Sequence, residues 1–402
     1  MAVNEFSRKG LHRATRVLSG YVQRGVLPGL VAAFARGDST QIEVHGRQDL
    51  DRGESMRADS IFRISSMSKP ITAVAALMLV EDCVLGLDDP VDDFLPELAD
   101  RRVLKRPGGP LDETVPAERP ITLRDLLTFR AGFGGTWDPD WPVTAAAIER
   151  GVAPQPPRLT PKPAPATDLY LRRLGELPLV HQPGEAWLYH TGIAVAGALI
   201  ARASGQGLGD FLRERIFEPL GMDDTGFHVP ADKLDRFTTL YTADRETKAL
   251  TVADPAEDGK WTADPLFPDG GGDLVSTIDD YLVFARMLLG GGRYSGTRLL
   301  SRPLVELMTS DQLTPENKAR GGLQPGMWDA HGWGMGLRVT TRKTGFASVG
   351  QYGWNGGLGS MWFNDPEENL VGILLTPRMW DSPAPPRVAQ DFETCVYAAL
   401  QN

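Results

Sequence analysis

The sequence is poor in the residues on which metal, redox and phosphate chemistry depend. It has two cysteines, Cys83 and Cys395, far apart, with no CxxC pair and no Cys/His cluster. A disulfide framework or a zinc site is therefore not expected, and both cysteines read as small buried residues. The six histidines include no HExxH pair, which excludes a helix-borne zinc protease. No G-x-S-x-G is present, which disfavours an α/β-hydrolase triad. The glycine runs Gly270–Gly272 and Gly290–Gly292 lack the Lys-Ser/Thr of a phosphate loop. The longest apolar runs, Ala73–Val80 and Ile193–Ala201, are about eight to nine residues, far below the roughly 20 a membrane-spanning helix needs. The first twenty residues hold no apolar stretch of the signal-peptide kind, so a cytoplasmic protein is expected. Positive charge is also scarce: the formal net charge is −10, which argues against nucleic-acid and anionic-membrane partners. Of 42 basic residues only nine are lysines, and the remaining arginines cannot act as bases near neutral pH.

What is present is an ordinary globular composition, 42% hydrophobic and 23% charged over 402 residues, long enough for two or three domains or one two-lobed unit. Residues 10–24 read as an amphipathic helix. Strands are expected at Leu30–Phe34, Gln41–Val44 and Ile61–Ile64. A buried helix runs from Ser66 to about Asp82, with Pro70 in its first turn. Thr122–Phe129 reads as a short helix with Arg124 and Asp125 outward. Residues 134–166, proline-rich with Trp137 and Trp141, read as a long loop or lid beyond a brief turn at Ala145–Arg150. Helices are expected near 167–175, 192–203, 208–218 and 277–289, the last opened by a capping-box-like Thr277/Asp280 pair. Short strands follow at Met335–Thr340, Ser348–Trp354, Gly359–Phe363 and Leu370–Thr376, then a final helix near 386–400. Strands at both ends and helices between them point to an α+β fold: one antiparallel sheet flanked by helices, and a mostly helical second lobe. The expected division is 1–70 with 265–402, and 71–264, with the site in the cleft between them.

The segment FRISSMSKP carries the chemistry. Ser66 and Lys69 form S-x-x-K, and residues three apart on a helix share a face. A serine hydroxyl needs a neighbouring base, and a lysine serves as one when burial lowers its pKa. With 16 serines and nine lysines, chance alone gives about 0.4 such matches, so position must decide. This one stands where a strand turns into a strongly apolar helix.

Segment after segment then resembles the serine β-lactamase and penicillin-binding-protein superfamily, in its class C-like branch, closest to the family VIII carboxylesterases. FRISSMSKPITAVAALMLVEDCVLGLDDPVDDFLPEL, ITLRDLLTFRAGF, PGEAWLYHTGIAVAGALIARASGQGLGDFLRERIFEPLGMDDTGF, GGGDLVSTIDDYLVFARMLLGGG and YGWNGGLGSMWFNDPEENLVGILLT match its blocks in order, over about Leu27 to Pro377. The resemblance implies a β-lactamase/transpeptidase-like fold and a serine hydrolase that uses an acyl-enzyme and neither metal nor cofactor. It implies Ser66 as nucleophile, with Lys69 and Tyr189 as its base and proton shuttle. The family's Tyr-x-Asn reads Tyr189-His190-Thr191. Its Lys-Thr-Gly has a literal match at Lys343-Thr344-Gly345, in a charged turn. The position in register is instead Trp354-Asn355-Gly356, with the backbone N–H groups of Ser66 and Gly357 as the implied oxyanion hole. His190, Thr191, Trp354, Asn355 and Gly356 are then expected to line the substrate site. Thr191 and Trp354 stand where β-lactamases hold an amide and a cation, which favours small, neutral, short-chain esters as substrates. The alternatives are a β-lactamase or D,D-peptidase, or an acyltransferase working through the same acyl-enzyme. Nothing in the sequence specifies an oligomer.

Overall fold

The computed structural model describes residues 6–135, 138–153 and 165–401. Its frame is a seven-stranded antiparallel sheet assembled from both ends of the chain. The strands run in the order His331–Trp333, Arg338–Thr340, Tyr352–Gly356, Ser360–Asp365, Leu370–Leu375, Gly29–Arg36, Ser39–Gly46. The N-terminal strand is paired with the C-terminal one, Val31 opposite Leu375 and Arg36 opposite Leu370. The period of two sorts the side chains. Leu30, Ala32, Phe34, Met361 and Phe363 face the helices Arg8–Gln23 and Arg387–Ala398. Val31, Ala33, Trp354, Trp362 and Ile373 face the larger core shared with the helices Ser68–Glu81, Thr191–Ser204 and Ile278–Leu289.

The helix Ser68–Glu81 is the centre of that core. Every residue from Ser68 to Leu79 is buried, because the sequence offers apolar groups on all sides and other elements enclose it. Burying each large aliphatic side chain stabilises the fold by about 1.5–3 kcal/mol. Its few polar groups are all bonded: Ser68 Oγ donates to Ser65 O (2.6 Å), and Thr72 Oγ1 to Gly270 O (2.7 Å).

Several expectations are corrected. Ile61–Ile64 does not join the large sheet; only Phe62 and Arg63 form a ladder, with Val275–Ser276. Asp125 is 2% exposed rather than outward. It completes a capping box with Thr122 and takes a forked contact from Arg119, so the short Leu123–Leu127 helix turns its acid inward. Cys83 is exposed, not buried. It follows the end of the helix Ser68–Glu81 with φ +58°, which turns it away from the core. The Thr277/Asp280 pair is half a capping box: Thr277 Oγ1 accepts from the Asp280 N–H, but the carboxylate of Asp280 accepts from Thr225 Oγ1 and Asp224 N instead. Within 134–166, Pro142–Arg150 is a nine-residue helix. Trp141 precedes it and packs on the cluster of Leu104, Val180 and Leu188. Trp137 and residues 154–164 lie outside the described residues. No helix among the described residues is long and apolar enough to cross a membrane.

Candidate active site

Ser66 lies in a single 3-10 turn, Ser65–Met67, that runs directly into the helix Ser68–Glu81. Three contacts set this turn. Ile64 N donates to Leu274 O (3.0 Å), Leu274 N to Ser68 Oγ (3.2 Å), and Tyr281 Oη to Met67 O (2.9 Å). Ser65 adopts φ +49° to enter it. The turn brings the Ser66 hydroxyl within 2.9 Å of Lys69 Nζ, the pair that the spacing predicted.

Lys69 is wholly buried, with no exposed surface. Desolvation of the ammonium pushes its pKa down from 10.5 to about 7, against the pull of the Asp269 and Asp273 charges. A neutral amine beside the serine is thus accessible at ordinary pH, as a general base requires. Nζ also donates to Gly271 O (2.5 Å) and lies 3.1 Å from His190 Nδ1.

Tyr189 stands over the same amine, its ring centroid 4.6 Å from Nζ. The segment that carries it is pinned to Phe129–Gly135, with Leu188 N on Phe129 O and Gly135 N on Tyr189 O. The Trp354 indole N–H donates to the phenol oxygen (2.7 Å). Burial raises the phenol well above its usual value, outweighing the hydrogen bonds with Ser66 and Trp354 that pull the other way. Tyr189 is therefore a neutral O–H that can donate toward Ser66.

The Tyr352–Gly356 strand approaches the Ser65–Met67 turn with its backbone. A Cβ on Gly356 would lie 2.3 Å from Ile64 O and 2.1 Å from Ser360 Oγ, so only glycine permits this approach. Ser360 Oγ donates to the same Ile64 carbonyl (2.8 Å). Gly357 follows directly, and a Cβ there would meet open space. Trp354 and Gly356 share the face toward Tyr189 and Ile64. Asn355 pairs with Met361, a member of the core on the other face, so its side chain is not brought to Trp354's side. Lys343 is in an exposed turn between the strands Arg338–Thr340 and Tyr352–Gly356, apart from this constellation.

The Tyr-x-Asn match offers both His190 and Thr191 as site residues; the structure brings His190 to Lys69 and buries Thr191. Thr191 is 2% exposed at the start of the helix Thr191–Ser204. His190 sits at φ +81°, ψ −65°, closed by a Thr191 N to Tyr189 O hydrogen bond of 3.2 Å. This γ-turn costs a non-glycine residue about 1–3 kcal/mol and swings the imidazole onto Lys69. Its other nitrogen, Nε2, is 2.8 Å from Asp269 Oδ2. Asp269 was not anticipated from the sequence. It opens the run Asp269-Gly270-Gly271-Gly272-Asp273, whose glycines let the backbone wrap the imidazole: a Cβ on Gly271 would lie 3.3 Å from His190 Cε1. Burial would raise the Asp269 carboxyl, but the charge and hydrogen bond of His190, the Lys69 charge and the Gly271 N–H outweigh it and hold it below the usual carboxylate range.

This architecture and this constellation define a β-lactamase-fold serine hydrolase. The model of the beta-lactamase family matches residues 14–392, and the chain belongs to that family. The chain is 37% identical over 359 residues to the protein Rv1367c of Mycobacterium tuberculosis, covering 87% of this chain and 86% of that one. It is 30% identical over 380 residues to the lovastatin esterase of Penicillium rubens, covering 88% and 89%. Among solved structures, EstCE1, described as a hydrolase with promiscuous acyltransferase activity, superimposes with a TM-score of 0.79 at 23% identity, covering 97% of this chain and 99% of that one.

Proposed function

We propose that this protein is a serine carboxylesterase that hydrolyses small, neutral, short-chain esters through an acyl-serine intermediate. The observation that carries the reading is the fully buried Lys69 amine 2.9 Å from Ser66 Oγ. In the cleft proposed between lobe 1–70 with 265–402 and lobe 71–264, Ser66 Oγ attacks the ester carbonyl while Lys69 takes its proton. The tetrahedral oxyanion rests on the N–H groups of Ser66 and Gly357. Tyr189 donates its O–H proton to the leaving alcohol and takes in its place the proton that Lys69 received from Ser66. Water then attacks the acyl carbonyl by the reverse route. The preference for neutral esters is supported by Trp354, an apolar wall with no cation to meet a substrate carboxylate. A cytoplasmic setting belongs to the same reading. Transfer of the acyl group to an alcohol in place of water is the second reading, favoured by the acyltransferase side activity named for EstCE1.

The test is turnover of p-nitrophenyl esters of increasing chain length beside a chromogenic cephalosporin. Hydrolysis of short esters that vanishes in Ser66→Ala is the expected result. Unchanged turnover in that variant would overturn the nucleophile, and faster turnover of the cephalosporin would overturn the substrate class.

A further inference from the structure

We propose that His190 and Asp269 form a positioning pair that aims the Lys69 lone pair at Ser66 and shares the charge Lys69 acquires when it takes the serine proton. This rests on the reading of Ser66 as nucleophile and adds to it a role for two residues that act through Lys69.

Counting protons around the amine gives the inference. Lys69 Nζ has three polar partners: Gly271 O at 2.5 Å, His190 Nδ1 at 3.1 Å and Ser66 Oγ at 2.9 Å. A carbonyl oxygen only accepts. In the neutral imidazole that can accept from Lys69, the ionised Asp269 Oδ2, 2.8 Å from His190 Nε2, fixes the ring proton on Nε2. His190 Nδ1 is then bare and also only accepts. A neutral Lys69 has two N–H bonds, and these two acceptors take both. The lone pair is left facing Ser66 Oγ–H. When the ester is attacked, the Ser66 O–H bond breaks, a third N–H forms on Lys69, and Oγ bonds to the acyl carbon. The new ammonium is met through the imidazole by Asp269.

The other charged and titratable groups around the pair are few among the described residues. Asp273 lies on the same loop and is paired with Lys260 at 2.6 Å. Tyr189 stands over Lys69, its ring edge-on to that of His190 at 6.0 Å. The loop is braced elsewhere, by Phe267 stacked on Tyr170 at 4.1 Å and by Thr72 on Gly270 O. The fold therefore has other means of holding residues 267–273, and the contact to His190 is free to serve the amine.

The readout is the rate at which Ser66 is phosphorylated by diethyl p-nitrophenyl phosphate as a function of pH, which reports nucleophile activation whichever acyl acceptor is used. Asp269→Asn is expected to slow labelling about 10²-fold, the scale of a misaligned reacting group. It should also move the acid limb to lower pH, because the anion that raises Lys69 is gone. His190→Ala should be slowed similarly. His190→Asn should regain much of the rate, since its side-chain carbonyl can accept from Lys69 where Nδ1 did. Wild-type rates and an unmoved limb in folded Asp269→Asn would overturn the proposal. If that variant fails to fold, equal rates for His190→Ala and His190→Asn would overturn it. Failure of the wild type to label at Ser66 would instead refute the proposed function.

Discussion

The indole N–H of Trp354 points at the phenol oxygen of Tyr189, 2.7 Å away. That one bond links the sheet to the segment beside Ser66, and it leaves the phenol hydrogen unused. With its oxygen accepting from the indole, Tyr189 can turn its own hydrogen to Ser66. Trp354→Phe keeps the ring and loses the bond. The expected result is a fall in kcat of about tenfold for p-nitrophenyl acetate with KM little changed, the worth of one buried hydrogen bond. Steady-state kinetics decide; an unchanged kcat would mean the bond only holds the fold.

Lys69 predicts the acid side of the pH profile. With its pKa near 7, the neutral base is lost as pH falls through that value, so kcat/KM should rise with pH across about 6–8 and then level. The same shift makes the unfolded chain the better proton binder between about 7 and 10.5, so this group's contribution to stability grows with pH over that window. An acid limb centred near pH 5 would be inconsistent with Lys69 as the base.

Lys343→Ala should leave ester turnover within about twofold of wild type, since exposed substitutions away from a site change little. A loss of 10²-fold would restore Lys343-Thr344-Gly345 as the third motif.

Arg63 predicts stability rather than rate. Its guanidinium is buried between Phe237 (4.0 Å) and Trp261 (5.0 Å) and is forked onto Asp254. Burial lowers its pKa to about 10 against the pull of Asp254. Arg63→Ala strands a buried carboxylate and should destabilise the protein by about 3–5 kcal/mol in urea unfolding. The double variant Arg63→Met, Asp254→Leu should cost less than the single one.

Much of the fold and the heart of the site were legible because their signals are local. Apolar alternation located the strands after Met335 to within a few residues, but not the short edge strand His331–Trp333. The i, i+3 spacing put Ser66 and Lys69 together even though Ser66 lies in a 3-10 turn. What escaped was set by distant chain. Asp269 sits in a loop without periodicity, and its meaning comes only from His190, 79 residues away. The approach of His190 to Lys69 depends on a positive φ at a non-glycine residue, which no spacing rule contains. Asp125 looked like a surface acid until Arg119 and the Thr122 cap claimed it. Asn355 followed from a motif read as a block, whereas a strand divides such a block between two faces.

The pairing of Gly29–Arg36 with Leu370–Leu375 also bears on how the protein comes into being. The ribosome releases the first of these strands early and the second roughly 330 residues later, some tens of seconds at elongation rates of about 5–20 residues per second. Through that interval the apolar N-terminal strand has its hairpin partner on one edge and none on the other. The nascent chain is then a natural client for a holding chaperone. The serine, made in the first sixth of synthesis, becomes a competent nucleophile only when the strand bearing Trp354 arrives.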